Sequence, residues 1–387
     1  MRGTLPTQSS MFYAIDVESR IRPDHPLRPI KCMVDEELAK ISKLFDAAYT
    51  RDNGRPSVPP ERLLKALLLQ CLYSIRSETQ LVERIDTDLL FRWFLDMDPA
   101  QDAFDQTTFT HNRPRLEQQG IVATFFDGVV RRAMKAGLTS DEHFTVDGTL
   151  IESHASIKSF VRRDASDKDD SDGNGFKSRN AEVNFHRQRR SNDTHVSTTD
   201  PQAKLYKKSD GQAAKLYHMG HALAENRHGL LMGVCVSDAA GDAEPVAAVG
   251  MVDRLRQRHG VCVATVGSDK GYDQGPYLLE LEKRDVEPHT AMKAGAIGGA
   301  TMRTRPSRRR KVDRPPIEAR RRMRRRQRTR GYRLSQRCRK KIEEAFGWIK
   351  TVATLARTKL IGRWKITQQM HLAAAAYNLV RMRKLAA

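Results

Sequence analysis

Residues 261–273 read VCVATVGSDKGYD. Apolar, largely β-branched residues run up to Gly267, and the text turns polar at Ser268 and Asp269. Such a run predicts a buried strand ending in a polar turn. Open α/β sheets carry their polar chemistry at strand ends, so Asp269 stands where chemistry would be placed. Upstream, residues 143–153, HFTVDGTLIES, show a β-prone apolar–polar alternation around a second aspartate, Asp147. Between them, KLYHMGHALAEN and GLLMGVCVSDA read as two strands of a hairpin joined at Arg227-His228-Gly229. A helical pattern runs from Glu244 to His259. After Asp269 come a helix from Gly275 to Arg284, a short strand near Val286 to Met292, a long helix from about Leu334 to Ala356, and a last helix, ITQQMHLAAAAYNLVRMRK. Strands and helices mixed in this way predict an α/β domain built on one sheet.

The first third has a different texture. Residues 24–136 read as helices, with Leu63, Leu64, Leu67, Leu68, Cys71 and Leu72 on one apolar face and Gly137 suited to a C-terminal cap. Ser77 with Gln80 resembles a capping box. The expected division is a helical N-terminal domain over 1–138 and an α/β domain over 139–387. The helices could dock on DNA as a helix-turn-helix variant or serve as a packing and dimerisation module. Residues 160–200 have almost no periodicity and are expected to form a flexible insertion or surface loop.

Composition narrows the function. The chain has 387 residues and a formal net charge of +21. Within 301–341 there are twenty Lys/Arg and two Asp/Glu, so most of the excess sits in about a tenth of the chain. Such a block repels itself and needs an anionic partner to be compact, and nucleic-acid phosphate is the commonest one. Arg321, Arg322 and Arg325 in RRRMRRRQRTR are the residues expected to grip duplex DNA. Met323 is the only large apolar residue of that run, which excludes an amphipathic membrane helix. Nothing in the chain reads as a signal peptide or membrane span, and the expected location is cytoplasmic, at the nucleoid. Five scattered cysteines without a CxxC pair argue against a zinc cluster and a disulfide framework. His218 and His221 lie three apart in a strand and so face opposite ways, which disfavours shared zinc ligation. No phosphate-binding GxxxxGKS loop appears.

Phosphodiester cleavage calls for charge stabilisation at phosphorus, an activated water and help for the departing oxygen. Two divalent ions about 4 Å apart supply all three. Magnesium takes oxygen ligands, so two or three carboxylates from different elements are the minimal protein contribution. Asp147, Asp269 and a glutamate in GYRLSQRCRKKIEEAFGWIK (331–350) could supply them. Each has an ordinary alternative: a turn at Asp147-Gly148, a cap at Asp269, a surface ion pair on the helix. In that helix Ile342, Phe346, Ile349 and Ala353 form a core stripe, and Arg339, Glu343 and Lys350 share another face. Glu343 is therefore preferred over Glu344, with Arg339 and Lys350 placed to hold phosphate. Lys270 beside Asp269 is a further phosphate candidate, although a solvated lysine explains it as well. Trp364 in GRWKI is a candidate for stacking on an unpaired base, whereas Trp348 reads as core.

The segments TVDGTLIESHAS, STTDPQAKLYKKSDGQAAKLYHMGHALAENRHGLL, GSDKGYD and RCRKKIEEAFGWIK resemble the DDE transposases of bacterial insertion sequences, especially the insertion-sequence-five branch. PPERLLKALLLQCLYSIRSETQLVERIDTDLLFRWFL and TTFTHNRPRL resemble that branch's N-terminal domain. The resemblance implies a ribonuclease H-like catalytic domain with metal-binding acids at Asp147, Asp269 and Glu343, using two Mg2+ ions for which Mn2+ can substitute. It implies binding of terminal inverted repeats, hydrolytic strand cleavage and attack of the freed 3′-hydroxyl on target DNA, generally by a homo-oligomer. The late-helix signature of the family group runs Tyr, Arg, Glu, Lys. Here Arg339, Glu343 and Lys350 match, and Gln336 replaces the tyrosine. A non-catalytic DNA-binding relative and a metal-dependent nuclease without strand transfer are the competing readings.

Overall fold

The computed structural model describes residues 16–49, 57–163, 191–207, 213–294 and 314–386. Among the described residues eight helices precede the first strand: Val17–Arg20, Leu27–Lys40, Ser42–Ala48, Pro60–Leu72, Glu78–Thr87, Leu89–Phe94, Thr107–Gln118 and Ile121–Lys135. The expected cap is present, since the Ser77 hydroxyl accepts from the Gln80 N–H at 3.2 Å. Leu63, Leu64, Leu67, Leu68 and Cys71 are all buried, as their spacing requires.

The sheet comprises β1 (His143–Glu152), β4 (Lys204–Tyr206), β5 (Lys215–Glu225), β6 (Leu231–Asp238), β7 (Thr265–Ser268) and β8 (Glu287–Thr290). Its order is β6-β5-β1-β7-β8, with β4 also on the outer edge of β5. β1, β5 and β6 are antiparallel neighbours, which the tight turn at Arg227–Gly229 permits. β7 and β8 run parallel to β1, so each must be reached by a helical crossover. Helices Ala243–His259 and Gly275–Glu282 are those crossovers. Three antiparallel strands followed by two parallel ones form the ribonuclease H-like sheet. β7 is shorter than the apolar run at 261–267 suggests, because pairing with β1 begins only at Thr265.

Two expectations about loops are refined. In the 160–200 segment, β2 (Phe160–Arg162) and β3 (His195–Ser197) pair as a small second sheet. The residues between 163 and 191 lie outside the described ones. The expected single helix 334–356 is instead Arg330–Cys338 and Lys340–Thr351, interrupted at Arg339.

The last helix, Arg363–Ala386, ties the molecule together. Leu372, Ala373–Ala376 and Leu379 are buried. The alanine run has no bulk on any side, so the helix can lie close both to β6 and to the N-terminal helices. Asn378 pins it to the sheet, accepting from Leu231 N–H at 2.9 Å and donating to the Leu231 carbonyl at 2.8 Å. One apolar cluster therefore runs from Leu64 and Phe125 through Leu372 to Val146 and Val234.

In the described part of the basic segment, some of the arginines find their anions inside the chain. Residues 295–313 lie outside the described ones, and 314–326 form a helix. Ala319 and Met323 are fully buried in the core cluster. Arg320 makes a two-pronged pair with the buried Asp273, both contacts at 2.9 Å. Arg326 meets Glu282 at 2.8 Å and Glu287 at 3.4 Å. The chain's own carboxylates thus neutralise one face of the helix.

Candidate active site

The register of β1 and β7 positions the first two acids. Their last paired residues are Thr145 and Gly267. Asp147 and Asp269 each lie two residues further on. Side-chain phase repeats every two residues, so both carboxylates reach the crevice that opens where the two strands part company. β1 continues, still paired to β5 through Asp147↔Ala222 and Gly148↔His221. β7 ends, and Asp269 starts a turn, accepting from Gly271 N–H at 2.7 Å. Asp147 likewise accepts from Gly148 N–H at 2.9 Å. The cap reading of Asp269 is therefore correct locally and does not compete with a place in the crevice, whereas Asp147-Gly148 is no turn, since both residues lie inside β1.

Helix Lys340–Thr351 brings the third acid. Ile342, Phe346 and Ile349 are buried, and Ala353 beyond the helix joins them. Arg339 Nη2 stands 3.4 Å from Glu343 Oε1, and Arg339 Nη1 stands 3.8 Å from Asp147 Oδ2. One guanidinium thus spans two acids that are far apart in sequence. Glu344 points elsewhere, to Arg381 at 2.8 Å. Gln336, in the position where the resemblance expects tyrosine, donates to the carbonyls of Ser268 and His289. It fastens the preceding helix to the ends of β7 and β8, next to Asp269.

Sequence reading passed over a fourth acid. Glu244, in the first turn of helix Ala243–His259, enters the same crevice. A Cβ on Gly148 would collide with its Oε1. A Cβ on Gly271 would stand 3.0 Å from Asp269 Oδ1 and 3.2 Å from Glu244 Oε2. In sequence Glu244 was indistinguishable from the acids that commonly open helices. The small residues at 148 and 271, both next to candidate acids, were the available signal.

The electrostatics show an excess of negative charge. Burial, reinforced by Asp269 and Glu343, pushes the Asp147 carboxyl up to about 6 despite the Gly148 N–H and Arg339. Burial, then Asp269 and Asp147, push Glu244 up to about 7. Among the described residues no three His, Cys, Asp or Glu side chains stand grouped so that they could hold a metal ion as they are. Glu343 is the outlying member, with its side chain 57% exposed. The donor set nevertheless fits a hard divalent cation in kind, being all carboxylate oxygen in a crevice short of positive charge.

The expected DNA-contact residues divide. Arg321 and Arg325 are exposed on the outward face of helix Arg314–Arg326, in line with Arg328. Arg322 is committed instead to Glu282. Lys270 is exposed in the turn after Asp269. Lys350 lines a cleft of about 700 Å³ between the N-terminal helices and the segment after helix Lys340–Thr351, with Arg76, His154, Arg357 and Lys359. Trp364 is half-buried and Lys365 Nζ lies 5.3 Å from its ring centroid, so part of the ring is already occupied. His218 binds the buried Asp200 at 2.8 Å and His221 binds Ser237 at 2.7 Å, so neither histidine serves a shared ion. Among the described residues no helix is long and apolar enough to cross a membrane.

The ribonuclease H-like sheet carries one carboxylate within β1 and another just past the end of β7, where the two strands diverge. The family is given by comparison. Residues 15–115 match a transposase domain known as DUF772, and residues 192–379 match the transposase DDE domain. The chain belongs to the DDE transposases. Asp269, Glu343 and Glu244 fall inside the second match, whereas Asp147 lies between the two. No curated protein matches at a significant level. Among solved structures, the chain is similar to a piggyBac transposase in a synaptic complex with hairpin DNA, determined by cryo-electron microscopy. The TM-score is 0.40 at 10% identity, over 93% of this chain and 75% of that one.

Proposed function

We propose that this transposase binds the terminal inverted repeats of its element, cleaves phosphodiester bonds there and joins the freed 3′-hydroxyl ends to target DNA. Asp147, Asp269 and Glu343 would hold divalent ions, magnesium or manganese. When bound, a pair of such ions supplies charge stabilisation at phosphorus, an activated water and assistance to the departing oxygen. The observation that carries the proposal is the matched placement of Asp147 and Asp269, each two residues past the last β1–β7 pair.

The remaining tasks fall to the chain's cations. Arg339 balances Asp147 and Glu343, and its guanidinium is available to a scissile phosphate. Lys350, seven residues on from Glu343, reaches the cleft beside the N-terminal helices, where a DNA backbone would find Arg76, Arg357 and Lys359. Arg321 and Arg325 present an outward stripe to duplex phosphate. The test is cleavage of an element-end duplex with Mg2+ by wild type, Asp147→Asn and Glu343→Gln. Nicking by wild type, with the variants lower by about 100-fold or more, is expected. Equal activity in the variants would overturn the assignment. DNA binding without nicking by the wild type would favour a non-catalytic relative, and nicking without joining of pre-cleaved ends a simple nuclease.

A further inference from the structure

Glu244 reaches the crevice from an element that none of the three expected acids uses. The backbone beneath it is shaped to admit it. Gly148, adjacent to Asp147, leaves free the space that Glu244 Oε1 fills. Gly271, in the turn that Asp269 starts, faces both Asp269 Oδ1 and Glu244 Oε2. Among the described residues Glu244 has no ion pair and no hydrogen bond. An acid serving only the helix dipole would lie in solvent and need no such clearance.

A second observation comes from Tyr272. The ring is fully buried, and its hydroxyl has no hydrogen-bond partner among the described residues. That hydroxyl lies within electrostatic reach of Glu244, Asp147 and Asp269. A buried, unsatisfied phenol is costly unless a partner arrives. Here the groups within reach are Tyr277 and these carboxylates, or whatever the carboxylates bind.

Resting on the proposed function, we infer that Glu244 is a fourth carboxylate of the site, taking a divalent cation together with Asp147 and Asp269, with the Tyr272 hydroxyl orienting it. Among the described residues the three half-buried carboxylates have one ion-pair partner, Arg339, which reaches Asp147, so a dication would relieve the repulsion among them. Oxygen donors from β1, the turn after β7 and the helix after β6 would then surround the ion on three sides, leaving Glu343 to act from the fourth.

The test is titration of MnCl2 into the full, DNA-free chain, followed by calorimetry and by the spin signal of free Mn2+. Wild type, Glu244→Gln, Gly148→Ala and Asp147→Asn are compared, with circular dichroism to verify folding. Glu244→Gln keeps the side chain's shape. Gly148→Ala meets the Glu244 side chain at Oε1, Cδ and Cγ, so it displaces that carboxylate. Both should weaken Mn2+ binding by about ten-fold or more. Tyr272→Phe should weaken it by a few-fold and leave folding intact. Wild-type Mn2+ affinity in both Glu244→Gln and Gly148→Ala, with loss in Asp147→Asn, overturns the role of Glu244 and leaves the triplet standing. Wild-type affinity in Asp147→Asn, or no saturable binding by the wild type, overturns the triplet as well.

Discussion

Arg339 Nη1 lies 3.8 Å from Asp147 Oδ2, and the same guanidinium reaches Glu343 at 3.4 Å. An arginine at the break between two helices is thus the internal countercharge of a crevice otherwise lined by acids. Without it, Asp147 and Glu343 would face each other with less compensation. Arg339→Ala should lower the stability of the metal-free protein by about 1–2 kcal/mol. It should also enlarge the rise in Tm that saturating Mg2+ produces. Thermal unfolding with and without Mg2+ measures both, and an unchanged pair of Tm values would contradict this role.

The pH dependence of stability follows from the raised acids. Folding favours the protonated forms of Asp147 and Glu244, whose carboxyls are pushed up to about 6 and about 7. Their contribution is complete below the ordinary carboxylate range and is lost as pH rises through those values. Metal-free wild type should therefore lose stability relative to the Asp147→Asn/Glu244→Gln double variant between about pH 4 and pH 7.5. The difference should be on the order of 2–4 kcal/mol. Urea unfolding of both proteins across that window gives it directly, and parallel curves would refute it.

The arginine helix separates structure from binding. Arg320 holds the fully buried Asp273 side chain. Arg320→Ala strands that charge and should cost about 3–5 kcal/mol. Arg321 and Arg325 face outward. Their double replacement by alanine should leave the Tm within about 1 °C of wild type. Their loss should weaken duplex binding and reduce the dependence of log K on log[salt] by about 1–2. Equal effects of the inward and outward substitutions on stability would contradict the division.

Gln336 offers a local test of how the late helices are held. Its amide donates to the Ser268 carbonyl at 3.2 Å and to that of His289. Gln336→Ala removes two hydrogen bonds at the strand ends, although the Ser268 carbonyl keeps the Ala291 N–H at 3.0 Å, and should cost about 1–2 kcal/mol. Because Ser268 adjoins Asp269, nicking should fall by more than the folded fraction does. Loss of activity in strict proportion to folding would show the contact to be structural only.

The parts of the fold that local patterning controls were readable in the sequence. The β5–β6 hairpin, the crossover helix ending at Gly260 and the buried stripe of Ile342, Phe346 and Ile349 all follow from periodicity and turn residues. Asp147 and Asp269 could be singled out because the first sits within a strand-like run and the second closes one. Glu244 could not, since its place depends on a long-range approach to Gly148 that no local pattern records. The internal pairing of part of the arginine block could not be read locally for a related reason. Its partners Asp273, Glu282 and Glu287 lie far back in the chain, and only the fold brings them under Arg320 and Arg326. Arg322, expected on DNA, is exposed and pairs with Glu282.

The most direct measurement is a crystal structure of the chain soaked in MnCl2, with anomalous scattering used to locate the ion. The predicted result is a peak in the crevice where β1 and β7 diverge, within ligand distance of an oxygen from Asp147 and one from Asp269. A well-occupied manganese held elsewhere, with those two carboxylates bare, would contradict the account.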